Sequence, residues 1–115
     1  MNIQIFGTRK CFDTKKAERF FKERRIKYQM IDMNEKGMSK GELNSVKISV
    51  GINELVNTKS KNYLKSNIGS IRSTEIKEEL LLKDQSLLIT PIVRNGKKST
   101  VGFKPEVWEE WIKTE

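Results

Sequence analysis

The sequence predicts an α/β protein built on a mixed four-stranded sheet. Three observations carry this reading. The chain opens on a strand, a helix and a second strand, with no tight turn between the strands. It closes on two β runs joined through Asn95-Gly96, followed by a helix. Between these ends, residues 39 to 83 read as a helical insertion without a strand.

Each element has its own signal. Asn2-Ile3-Gln4-Ile5-Phe6 alternates in polarity and predicts a strand near residues 2–6. Asp13-Thr14 reads as an N-cap pair for a helix over Lys15 to Arg25, with Ala17, Phe20 and Phe21 on one face and charges on the other. Ile26 to Met33 has the alternation and β-branched content of a second strand, near 28–32. A strand–helix–strand unit makes the two strands parallel and the crossover right-handed. Asn34 to Gly37 breaks the pattern. Ser39-Lys40-Gly41-Glu42 then opens a helix carrying Leu43, Val46 and Val50, which Gly51 ends. Ile52, Leu55 and Val56 follow, Tyr63-Leu64 marks another helical turn, and Ser73-Thr74-Glu75 caps a helix carrying Ile76 and Leu80. The apolar residues of this block are expected in the core. Near 91–95 and 99–103 lie the last two strands, with Asn-Gly supplying the two positive-φ positions of a hairpin turn. Pro105 and Glu106 suit the first turn of the final helix, whose buried face is expected to be Val107, Trp108, Trp111 and Ile112.

At 115 residues the chain is expected to form one domain, 1–115, with a core that needs no metal or disulfide. One cysteine and no histidine exclude an internal disulfide, the usual zinc sites, and Ser-His or Cys-His pairs. There is no signal-peptide pattern and no run of about eighteen apolar residues, so the expected home is the cytoplasm, without a membrane span. The net charge is +8, but the 23 Lys and Arg are interleaved with 15 Asp and Glu. That pattern reads as a solvated surface favouring small anions rather than as a nucleic-acid interface.

Cys11 is the chain's one thiol, and it falls in a strand-to-helix loop. A helix N-terminus carries roughly half a positive charge and unpaired N–H groups, both of which favour the thiolate that attacks disulfides. Arg9, Lys10, Lys15 and Lys16 flank it and would act in the same sense. Against this stands the common role of a lone cysteine as a small buried apolar residue. The local sequence leaves both readings open.

The opening Ile-Phe-Gly-Thr-Arg-Lys-Cys-Phe-Asp-Thr-Lys-Lys-Ala, the helical insertion, and Thr90-Pro91-Ile92-Val93 with Val101-Gly102-Phe103 together resemble the arsenate reductase–related (ArsC/Spx-like) family. The resemblance runs the length of the chain and implies a thioredoxin-like fold. It implies that Cys11 is the redox nucleophile and that Pro91 is cis, facing the cysteine. Thr90 would then offer its backbone to an extended peptide or to glutathione, and Lys15 and the helix end would hold the thiolate. Thr14 would donate a hydrogen bond to the thiolate, as in monothiol glutaredoxins, or cap the helix. No bound cofactor is implied; glutathione or another low-molecular-weight thiol would be the co-substrate.

The departures from the family pattern are specific. Where arsenate reductases of this type carry three arginines, this chain has Asn57 before Thr58, Thr90 before Pro91, and only Lys104 near the last helix. Bidentate oxyanion binding is lost with those arginines, so little or no arsenate reduction is expected. Where Spx-type regulators carry Cys-x-x-Cys, this chain has Cys11-Phe12-Asp13-Thr14, which excludes an internal disulfide switch. The expectation is a monomeric, cytoplasmic monothiol redox protein acting on a small oxidised substrate. The alternative is an Spx-like module that binds RNA polymerase or another protein without catalysis.

Overall fold

The computed structural model describes residues 1–114. Four strands form one sheet: β1 (Ile3–Gly7), β2 (Tyr28–Asp32), β3 (Ile92–Asn95) and β4 (Lys98–Val101), in the spatial order β2-β1-β3-β4. β1 and β2 run parallel, with Ile3 opposite Tyr28 and Gly7 opposite Asp32. β3 is antiparallel to both β1 and β4. The mixed sheet and the parallel opening pair are as the sequence predicts.

The central strand β1 is buried on both faces, and its period-two alternation divides the interior. Ile3 and Ile5, with Val93 of β3, meet Ala17, Phe20 and Phe21 of α1 (Phe12–Glu23) and Trp108 and Trp111 of α5 (Pro105–Thr114). Phe6 and Ile92 point the other way, onto Leu43, Val46, Leu55, Ile68 and Leu81 of the insertion and Leu87 just after it. The insertion therefore builds half of the core.

Within it lie α2 (Lys40–Val50), α3 (Tyr63–Ser66) and α4 (Thr74–Lys83), with short 3-10 turns between them and no strand among residues 39–83. An isolated bridge joins Val56 to Leu88. A capping box starts α2: Ser39 Oγ accepts from the Glu42 N–H, and Glu42 Oε1 accepts from the Ser39 N–H. Gly51 ends the helix at φ 89°, a conformation that favours glycine.

Three readings need correction. Not all the apolar residues of the insertion reach the core: Leu64 of α3 is exposed, and so is Ile76, because α4 turns Leu81 and Glu78 inward instead. The Glu78 carboxylate is tied to Lys47 of α2 at 2.7 Å, so the buried face includes an acid that apolar periodicity does not show. Val107 likewise lies on the rim of α5. The hairpin turn is shifted by one residue. Asn95 stays in β3, paired with Lys98, and the loop is Gly96-Lys97 with only Gly96 at positive φ, 63°. That is the pattern of a II′ turn, with glycine first. Asn95 is held in the strand because its Oδ1 also accepts the Asn2 N–H at 3.2 Å.

Candidate active site

β1 ends at Gly7, and the chain turns toward α1 through Thr8 to Lys10. Cys11 closes this turn: its N–H donates to Thr8 O at 3.2 Å, and its carbonyl accepts the Lys15 N–H at 3.2 Å. Cys11 is thus itself the N-cap of α1, with φ −84°, ψ 117° and no side-chain cap bond. The reading of Asp13-Thr14 as the cap pair is corrected; the helix begins at Phe12, ahead of both.

The consequence falls on Thr14. One turn into the helix, it faces the sheet, only 1% exposed, and its Oγ1 meets no hydrogen-bond partner in the thiol form. Gly7 makes room for it: a Cβ at Gly7 would overlap Oγ1 and Cγ2 of Thr14. The Cys11 Sγ, half-buried, donates to the Thr90 carbonyl at 3.6 Å. The Thr90-Pro91 peptide is cis, as the resemblance implies, and Pro91 is buried. Cys11, Thr14, Thr90 and Pro91 therefore come together at one end of the sheet.

Burial pushes the Cys11 thiol up, but the Thr14 and Thr90 side chains and the backbone of Thr14 and Asp13 outweigh it, and the thiol lies below its ordinary value. A thiolate is a much stronger acceptor than a thiol, and the Thr14 hydroxyl is the first of the groups that lower the Cys11 value. The lowering comes from hydrogen bonds. Of the flanking cations expected to supply it, Arg9, Lys15 and Lys16 have other neighbours. Arg9 lies 3.5 Å from Asp32, and Lys16 lies 3.9 Å from Asp13 and over the Phe103 ring. The Lys15 ammonium sits 5.7 Å from the centre of the exposed Phe12 ring.

Gly7 is the functional position that sequence reasoning missed. Its role depends on a helix residue packing over it, and a glycine after a strand gives no hint of that. Gly7→Ala is expected to displace Thr14, move the thiol back toward its ordinary value and cost about 1–3 kcal/mol of stability by overpacking. Alkylation rate against pH, with urea unfolding, checks both; an unchanged alkylation profile would separate Thr14 from the thiol's acidity.

A cleft of about 470 Å³ adjoins the Cys11 turn: its lining includes Thr8 and Thr90, whose carbonyls accept from Cys11, together with Asn34, Asn57, Asp84 and Gln85, and Cys11 itself stands outside the lining. Asn57 and Thr90, far apart in sequence, meet here. No lysine or arginine lines it. Lys104 lines a different hollow, with Glu54 and Val107. A hollow of about 480 Å³ edged by Lys22, Arg25 and Lys27 lies at the opposite end of α1 from Cys11. Among the described residues, no His, Cys, Asp and Glu cluster could hold a metal ion, and no helix is long and apolar enough to cross a membrane.

A cysteine at the head of the first helix, facing a cis-proline at the start of β3 in a β2-β1-β3-β4 sheet, marks a thioredoxin-like fold. Within that class the chain belongs to the ArsC family, whose sequence model matches residues 6–111. It is 29% identical over 115 residues to the uncharacterized protein YusI of Bacillus subtilis (strain 168), covering 96% of this chain and 98% of that protein. A solved ArsC family related protein from Bacteroides fragilis superposes with a TM-score of 0.83 at 25% identity, over 96% of this chain and 97% of that one. An arsenate reductase from Vibrio cholerae gives 0.85 at 23% identity, over 96% and 97%; at that identity the likeness is one of fold.

Proposed function

We propose that the protein is a monothiol exchange catalyst acting through Cys11. The observation that carries this reading is a half-exposed sulfur at the N-cap of α1 with a buried, unpartnered Thr14 hydroxyl beside it. The thiolate attacks one sulfur of a disulfide. The S–S bond of the substrate breaks as the Cys11 mixed disulfide forms, and the departing thiolate takes a proton from solvent. Glutathione or another low-molecular-weight thiol then attacks the substrate sulfur of the mixed disulfide; the bond to Sγ breaks, Cys11 leaves as the thiolate, and a disulfide between the resolving thiol and the substrate arm is released. This reading needs no bound cofactor and belongs in the reducing cytoplasm, with the protein as a monomer.

Arsenate reduction is outside the reading. An oxyanion needs cationic or densely packed donors, and the cleft beside Cys11 offers Asn57, Thr90 and the acid Asp84. The test is alkylation of Cys11 across pH, followed by incubation with glutathione disulfide and intact-mass measurement. A midpoint below about 8.5, the ordinary thiol value, and a single glutathionyl adduct absent from Cys11→Ser are expected. A midpoint at or above that value with no adduct would point instead to a binding module. Arsenate with glutathione and glutaredoxin is expected to give no turnover, and Thr90→Arg alone is not expected to restore it.

A further inference from the structure

The cleft beside Cys11 is charged on one side only. Asp84 stands before the 3-10 turn Gln85–Leu87, and it is fixed there. Its Oδ2 accepts from Asn62 Nδ2 at 2.8 Å, and its Oδ1 accepts from the Ser86 N–H at 3.1 Å and the Ser86 hydroxyl at 2.6 Å. The Ser86 bonds above all hold the carboxyl below its ordinary range, so it is ionised at neutral pH. Among the described residues no lysine or arginine forms an ion pair with it. Lys65 and Lys83 line a neighbouring hollow that shares Asp84, and no cation lines the cleft that Thr8 and Thr90 border beside the Cys11 turn.

This local charge opposes the charge of the whole chain. The net +8 is spread over the surface, and beyond about 8–10 Å salt screens most of it. Within the cleft, Asp84 is the one charged side chain among the lining residues, so it is the charge a bound group meets there.

We propose that Asp84 determines substrate specificity: Cys11 exchanges with disulfides whose arm in the cleft is cationic or neutral, and disfavours carboxylate-bearing arms. This rests on the thiol-exchange reading above. Aminothiol disulfides are then better substrates than glutathione disulfide, whose arms are net anionic. For a charge placed in the cleft, one carboxylate changes reactivity roughly threefold in each direction, so the cation-to-anion ratio shifts by about tenfold.

The test uses three small disulfides of similar size: cystamine, 2-hydroxyethyl disulfide and dithiodipropionate. The rate of Cys11 mixed-disulfide formation with each is divided by the rate for free 2-mercaptoethanol. The expected order is cystamine, then hydroxyethyl disulfide, then dithiodipropionate, with a normalised ratio of about tenfold between first and last. Asp84→Asn should bring that ratio toward one. Asp84→Ser, which keeps a hydroxyl to accept from the Ser86 N–H but carries no charge, should lower it as well, and decides the matter if the asparagine variant does not fold. A wild-type ratio at or below one, or a ratio that neither variant changes, would overturn the role of Asp84 while leaving thiol exchange intact. Reaction with none of the three would overturn thiol exchange itself, and this inference with it.

Discussion

Trp108→Ala is expected to cost about 3–5 kcal/mol, the range for removing a large buried aromatic side chain. A domain of this size is typically stable by about 5–15 kcal/mol, so the loss is a large share of the total. Trp108 is fully buried, and the Phe20, Phe21 and Phe103 rings surround it with centroids at 5.2, 5.2 and 5.5 Å. Its indole N–H donates to the Thr100 hydroxyl at 2.8 Å, so truncation also orphans a buried oxygen. The effect reaches the site, because Phe20 and Phe21 are the side chains by which α1 grips the core, and α1 carries Cys11 at its head. Where the variant still folds, its Cys11 should alkylate more like a free thiol. Urea unfolding followed by circular dichroism gives the stability. A loss below about 1.5 kcal/mol would show that the aromatic cluster is not the anchor of α1.

The parts of the fold that local pattern controls were legible in the sequence. The opening strand, the parallel return, the Ser39–Glu42 capping box and the Pro105 helix each depend on residues close together in the chain, and each stands within a residue or two of its expected place. Cys11 was legible for the same reason: a strand before it and a helix after it leave little freedom in where it goes. What escaped depends on contacts between distant segments. Asp13-Thr14 looks like a cap pair until Gly7, on the neighbouring strand, is seen to receive Thr14. Asn95-Gly96 looks like a complete turn until Asn2 is seen to hold Asn95 in the strand. The flanking cations promised a field at Cys11, but long flexible side chains settle on whatever ring or carboxylate is near, here Phe12, Phe103, Asp13 and Asp32. Asp84 carried no signal, since its place in the cleft is set by how the insertion folds back beside β3.

Thr14→Val is expected to change both the reactivity and the stability of the protein, and the stability change should reverse sign with pH. Valine fills the same space over Gly7 but has no hydroxyl to offer the thiolate. With one hydrogen bond to a charged sulfur lost, alkylation of Cys11 at neutral pH should slow by about three- to tenfold, and its midpoint should move up. The same bond links stability to pH. The Cys11 thiol is lower in the folded protein than in the unfolded chain, so its ionisation contributes stability that is fully present above the ordinary thiol value and is lost as pH falls through the folded one. Wild type should therefore gain on the valine variant as pH rises through that window. Below it the thiol is protonated, and the buried Thr14 hydroxyl is an unpartnered polar group. Removing such a group is neutral or stabilising, so at acidic pH the variant should equal or exceed wild type. Thr14→Ser, which keeps the hydroxyl, should restore most of the reactivity. Urea midpoints across pH, with alkylation rates on the same three proteins, test this pair of signs. A valine variant that is destabilised equally at every pH would mean that Thr14 serves only to pack α1 on β1, and that the acidity of Cys11 comes from the backbone at the head of the helix.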